Sequence, residues 1–300
     1  MISTKDLELA VALTLATAYV EGETPQSTMI VSEYPESGKT MLVNKFRHND
    51  GIAVISDATA KGLLESFKGD LMSGALKHII IPEFLAPISR NQNTVKSFLS
   101  TIQILIEDGY QRIDTGFIHQ KYDSPKRIGV IACLPKGEFT ANKFKWMQSG
   151  LLSRFLVLTY SYSHETVDTI LAAIMARQYL EEADITVVFG DAVNVTLPLG
   201  IALSCKDLAL QTCERARHSK GMYGFRQLES VQRLVMASVV LDKAQGVERD
   251  NVATQADFDK IEAISYLFNE EFNELKGFEP EPKNPMALRR GKIQKQGANL

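Results

Sequence analysis

Ser37-Gly38-Lys39-Thr40 closes the stretch VSEYPESGKT, between an apolar run, STMIVS, and a helical one, KTMLVNKF. A triphosphate bound at such a corner needs three things: backbone N–H groups at a helix start, a lysine for the outer phosphates, and a hydroxyl for Mg2+. Gly38 lets the backbone approach closely, Lys39 supplies the charge and Thr40 the metal ligand, with Pro35 and Glu36 completing the loop. The front half departs from the usual pattern. Glu33 stands where a first glycine is expected, and Glu36 where another often is. Both restrict the backbone and bring negative charge towards a polyphosphate. ATP and Mg2+ are the ligands this loop implies, against the competing reading of a chance match.

Three further residues have chemistry to offer. HIIIPEF is an apolar strand of the kind that ends in two acids, one for Mg2+ and one to orient a water. Pro82 takes the first place and Glu83 keeps the second. In GLLSRF, Arg154 precedes the last strand and can be aimed at a neighbouring subunit's γ-phosphate, which requires a ring of subunits. Arg226 opens the helix FRQLESVQRLVMASVVL and is expected to reach back to the phosphates. Taken singly, each has an ordinary alternative: a surface glutamate after a buried strand, or an exposed arginine on a helix.

The elements that must position these residues can be read from periodicity. STMIVS, GIAVIS, KHIIIPEF, RIGVIACL and RFLVLTY are short Ile/Val/Leu-rich runs, as expected for strands covered on both faces. Between them KTMLVNKF, ATAKGLLESFKG and TVKSFLSTIQILIEDG carry apolar residues at helical spacing. Alternating strands and helices predict an α/β sandwich of the P-loop NTPase type, with a mostly parallel five-stranded sheet and its ligands beyond the C-terminal strand ends. After residue 160 the texture turns helical, apart from ITVVFGDAVNVTLP, which reads as a small hairpin turning at Gly190-Asp191. The expected organisation is an α/β core over 1–160, a mainly helical lid over 161–276 and a basic, mobile tail over 277–300.

Bulk composition narrows the classes. The chain has 300 residues, 45% of them apolar and 23% charged, as in an ordinary globular protein. A net charge of −3 gives no global attraction to nucleic acid, so such binding would need a local basic patch. Cys133, Cys205 and Cys213 lack metal-ligand spacing and read as core thiols of a reducing compartment. DLELAVALTLATAYV is too short to span a bilayer and lacks a basic leader, so it reads as a packed helix in a cytoplasmic protein without a membrane partner.

In their order, these stretches resemble the AAA+ ATPases, and within them the minichromosome-maintenance helicase branch and its shorter virus- or plasmid-borne relatives. PESGKT is similar to the Walker A end and HIIIPEF to the Walker B strand. LIEDGYQRIDTGFIHQKYDSPKRIGVIACL is similar to the presensor hairpin and sensor 1 strand, LLSRF to the arginine finger, and FRQLESVQRLVMASVVL to the sensor 2 helix. The resemblance covers about residues 20 to 275. It implies a DNA-acting helicase or translocase, serving replication of a mobile element. Its copies would form a ring or helical array such as a hexamer, with ATP between subunits. It also places DNA contacts on the hairpin, at Lys121, Lys126 and Arg127, with His119 beside them. The departures are Glu33, Pro82 and the sensor 1 asparagine expected near Leu134. Removing one preorganised catalytic group commonly slows a reaction about a hundred- to a thousandfold. The alternative is therefore a degenerate AAA+ scaffold or adaptor with weak or no hydrolysis. A chaperone-like remodeller is a third reading.

Overall fold

A computed structural model describes residues 4–114, 119–177, 183–215, 224–269 and 271–275. In chain order the first elements are α1 (Lys5–Ala16), β1 (Ser27–Ser32), α2 (Lys39–Asn44), β2 (Ile52–Val54), α3 (Ala60–Ser66), α4 (Lys68–Ser73) and β3 (His78–Ile81). Next come α5 (Leu85–Ile88), α6 (Gln92–Ile106), β4 (Tyr110–Asp114), β5 (His119–Lys126), β6 (Gly129–Pro135), α7 (Lys136–Gln148) and β7 (Phe155–Tyr160). The helices α8 (His164–Met175), α9 (Leu199–Arg215), α10 (Phe225–Ala244) and α11 (Gln255–Ile264) follow.

Five strands form one parallel sheet in the order β2-β3-β6-β1-β7, and all five coincide with the expected apolar runs. Alternation along each strand feeds two cores. Ile30, Ile80, Ile131, Cys133, Leu156, Leu158 and Tyr160 face one side, with α1, α9, α10 and α11 packed over them. Met29, Val31, Ile79, Ile81, Val130, Ala132 and Leu134 face the other, where α3, α6 and α7 lie. The molecule is thus an α/β sandwich whose sheet is covered on both faces, which is why its strands read as continuous apolar runs. Helices α9, α10 and α11 pack on one another, and α10 also packs along α1.

Local signals set several helix starts. Asn91 accepts from Thr94 N ahead of α6, Ser163 accepts from Thr166 N ahead of α8, and Thr254 with Asp257 forms a reciprocal capping box at α11. The hairpin expected at Gly190-Asp191 does not form. Residues 183–198 run as an extended strap whose hydrogen bonds go elsewhere: Val193 N to the Tyr19 carbonyl, Thr196 N to the Asn251 carbonyl, and Val187 N to Asn49 Oδ1. Backbone donors that find partners on α1, α2 and α11 neighbours have no need of a second strand. The basic tail lies outside the described residues, as do 178–182 at the end of the helix expected after Tyr160.

Candidate functional site

The register of the sheet fixes where the expected residues can meet. Ser27 pairs with Phe155 and Ser32 with Tyr160, so the Lys39 loop leaves one end of the sheet while Arg154 enters the other. Five residues of strand separate these ends by roughly 17 Å.

At the loop end, the β1–β7 ladder runs one residue beyond β1, with Glu33 N donating to the Tyr160 carbonyl at 3.0 Å. The loop is then pinned from inside and outside. Ser32 Oγ and Ser37 Oγ both donate to the Tyr34 carbonyl, at 2.6 and 2.5 Å. The Ser37 carbonyl accepts from the hydroxyls of Tyr160 and Tyr162, at 2.7 and 2.8 Å. Glu36 and Gly38 take the left-handed conformation, with φ of 62° and 73°. A glutamate at such a φ is strained by about 1 kcal/mol, and the same turn is what a glycine there would adopt freely. No side chain caps α2 at Gly38, and the first N–H groups of a helix have no acceptor within it.

Lys39 Nζ donates to Ser32 Oγ at 2.5 Å. Burial lowers the Lys39 pKa, and nearby Cys133 and Glu83 partly restore it. Thr40 Oγ1 donates to Glu83 Oε1 at 3.1 Å, joining the start of α2 to the turn after β3. An alcohol and a carboxylate oxygen side by side are hard ligands of the kind Mg2+ takes alongside substrate phosphates and water. Among the described residues no cluster of three or more His, Cys, Asp or Glu is arranged to hold a metal. Neither Glu33 nor Glu36 makes a hydrogen bond or ion pair with Lys39 or Thr40. The Glu33 carboxylate turns to Lys136 Nζ at 3.1 Å, and Glu36 is exposed. Pro82 is buried at the end of β3. Leu134 lies fully in the core, so the neighbour that β6 offers Lys39 is Cys133, whose thiol burial pushes up to about 12.

At the opposite end, Arg154 and Arg226 meet on one carboxylate. Glu107 pairs with Arg154 Nε through Oε2 and with Arg226 Nη2 through Oε1. Arg226 Nη1 also donates to Ser153 Oγ at 2.6 Å. This placement sets Arg226, expected to reach back to the phosphates, at the end of the sheet away from the Lys39 loop of the same chain. The start of α10 lies against the Arg154 end of the sheet, and Arg226 is held there as Arg154's neighbour.

The strands β4 and β5 pair antiparallel, with Arg112 opposite Lys121 and Tyr110 opposite Lys126; residues 115–118 between them lie outside the described set. Tyr122 anchors this ribbon in the core, while Lys121 and Arg127 are exposed and Lys126 is half-buried. Because β5 runs directly into β6, the ribbon stands at the arginine end of the sheet, beside Glu107.

The chain matches no protein-family model, and no curated protein matches it. No helix among the described residues is long and apolar enough to cross a membrane. Sequence reasoning missed Ser32, Glu107, Tyr160 and Tyr162. The tyrosines did leave a signal: two residues apart at a strand end, they share a face and can grip one carbonyl. Glu107 left none, because its partners lie far along the chain.

Proposed function

We propose that this chain is a P-loop nucleoside-triphosphate-binding protein of the AAA+ type, related to the minichromosome-maintenance branch, which works as an oligomer on DNA. The observation that carries the reading is the contact between Thr40 and Glu83, which joins the hydroxyl beside Lys39 to the carboxylate after β3. Pro35 to Gly38 curl the loop, the open N–H groups at the start of α2 face the phosphates, and Lys39 neutralises their charge. Thr40 and Glu83 are the residues that would hold Mg2+, which when bound draws charge from the phosphate oxygens. Arg154 and Arg226 lie too far along the sheet to serve their own loop, so a second copy supplies them, and a head-to-tail array follows. Exposed Lys121 and Arg127, with Lys126 beside them, give the ribbon a basic surface for a phosphate backbone.

A second reading is favoured by one feature of the same contact. A Glu83 engaged with Thr40 stands in for the acid missing at Pro82 and is not free to orient water. With Leu134 in the core, no amide side chain is offered at the sensor 1 position. On this reading the protein is a nucleotide-binding scaffold that hydrolyses weakly. ATP turnover of the wild type, Lys39→Ala and Glu83→Gln, with and without single-stranded DNA, separates the two. DNA-stimulated turnover abolished in both variants supports the motor. Nucleotide binding that Lys39→Ala removes, without turnover in any of the three, supports the scaffold. Wild type and Lys39→Ala indistinguishable in both binding and turnover refutes both.

A further inference from the structure

Glu107 ends α6, and its two oxygens go to arginines from distant parts of the chain, one before β7 and one at the start of α10. Each guanidinium has a second anchor as well. Arg154 Nη1 donates to the Gly150 carbonyl and Arg226 Nη1 to Ser153 Oγ. Gly150 has φ of 72°, a left-handed conformation that favours glycine, and its carbonyl is turned to Arg154 Nη1. The side chains of Arg154 and Arg226 remain 20% and 37% exposed. Two cations held by one anion leave a surplus positive charge at this end, with the remaining donors available to an incoming anion. Without the carboxylate the two guanidiniums repel and separate.

We propose that Glu107 is a positioning residue of a site shared between two copies. It holds Arg154 and Arg226 side by side as a double fork, presented to the triphosphate on the Lys39 loop of the next copy. The idea rests on the nucleotide-binding function proposed above and deepens it. Glu107 itself touches no nucleotide; it acts through the arginines, because a bidentate fork works only in a fixed orientation.

The test uses the full chain in four forms: wild type, Lys39→Ala, Glu107→Gln and Glu107→Asp. A fluorescent ATP analogue reports binding, light scattering with a non-hydrolysable analogue reports assembly, and steady-state kinetics report turnover. Glu107→Gln keeps the shape of the side chain and removes its charge. It is expected to bind nucleotide like the wild type, to lose nucleotide-dependent growth in mass, and to drop kcat by about tenfold to a hundredfold with KM unchanged. Glu107→Asp retains the charge and is expected to fall between the two. An equimolar mixture of Glu107→Gln and Lys39→Ala pairs an intact loop with intact arginines at one junction in four. It is expected to regain up to about a quarter of wild-type turnover. Assembly and kcat unaffected by Glu107→Gln would overturn the proposal, as would an Asp variant no better than Gln, loss of nucleotide binding by Glu107→Gln, or a mixture that regains nothing. A wild type that binds no nucleotide is a different failure, which removes the functional reading itself and the proposal with it.

Discussion

The strand that leads to Glu83 begins with a buried histidine whose charged form the fold disfavours, which makes stability pH-sensitive in a defined window. His78 is 1% exposed, and its Nε2–H donates to the Gln26 carbonyl at 3.2 Å. Burial lowers its pKa from 6.5 to about 4, against a smaller opposing effect from the backbone at Gln26 and Thr14. Because the folded-state value is depressed, the stabilisation is complete above about pH 6.5. It is lost as pH falls towards 4, where the unfolded chain takes up a proton that the native state refuses. A depression of about 2.5 units at 1.36 kcal/mol per unit makes this about 3 kcal/mol across the window. That is a large part of the stability of a domain. The perturbation is His78→Gln, which keeps an N–H donor for Gln26 and removes the titration. Urea unfolding at several pH values between about 7.5 and 4.5 should show the wild type losing about 2–3 kcal/mol more than the variant. Carboxylates are a separate matter, since Glu8 and Asp257 titrate below their ordinary values and act at the acidic edge of the range or beyond it. Parallel losses in wild type and His78→Gln would refute the reasoning.

Three other outcomes are expected. Gly129→Ala would place a Cβ 2.3 Å from the His78 ring and 2.6 Å from the Gln26 carbonyl. It should destabilise by about 3 kcal/mol or prevent folding, read as a lower urea midpoint or loss of soluble protein. Asp257→Asn removes the charge that Arg249 faces. Burial raises the Asp257 pKa, but hydrogen bonds from Arg249, Thr254 and Ser238 lower it more, so the carboxylate is the native form. Arg249 keeps Asp242 at 2.7 Å but loses its second carboxylate, which should cost about 2 kcal/mol, measured by urea unfolding at neutral pH. Glu36→Gly relieves a left-handed glutamate and removes a negative charge from the proposed triphosphate site. A nucleotide titration should show binding tighter by roughly three- to tenfold, more at low salt, and an unchanged affinity would count against the loop as the binding site.

The sheet was legible because a strand covered on both faces must be apolar throughout. Runs such as HIII and STMIVS are too short for helices and are bounded by turn residues. The corner at Lys39 was legible for a related reason: a strand, a glycine-containing turn and a helix are consecutive in the chain. What lay hidden depended on contacts between distant segments. Nothing around Gly190 and Asp191 reveals that Tyr19, Asn49 and Asn251 will take the hydrogen bonds a hairpin would have used. Nothing near Arg226 reveals that α10 will begin beside Glu107, 119 residues earlier. Likewise, nothing in the sequence around Pro82 and Leu134 reveals that Glu83 will lie against Thr40 and Cys133 beside Lys39; only the packing does.

The length of β7 carries a consequence for how activity should scale. On the reading proposed here, an isolated copy owns two half-sites and no whole one. An open row of n copies has n−1 working junctions, and a closed one has n. Specific activity should then vanish on dilution, the total rate rising faster than in proportion to protein concentration. It should become independent of concentration once closure removes the unmatched ends.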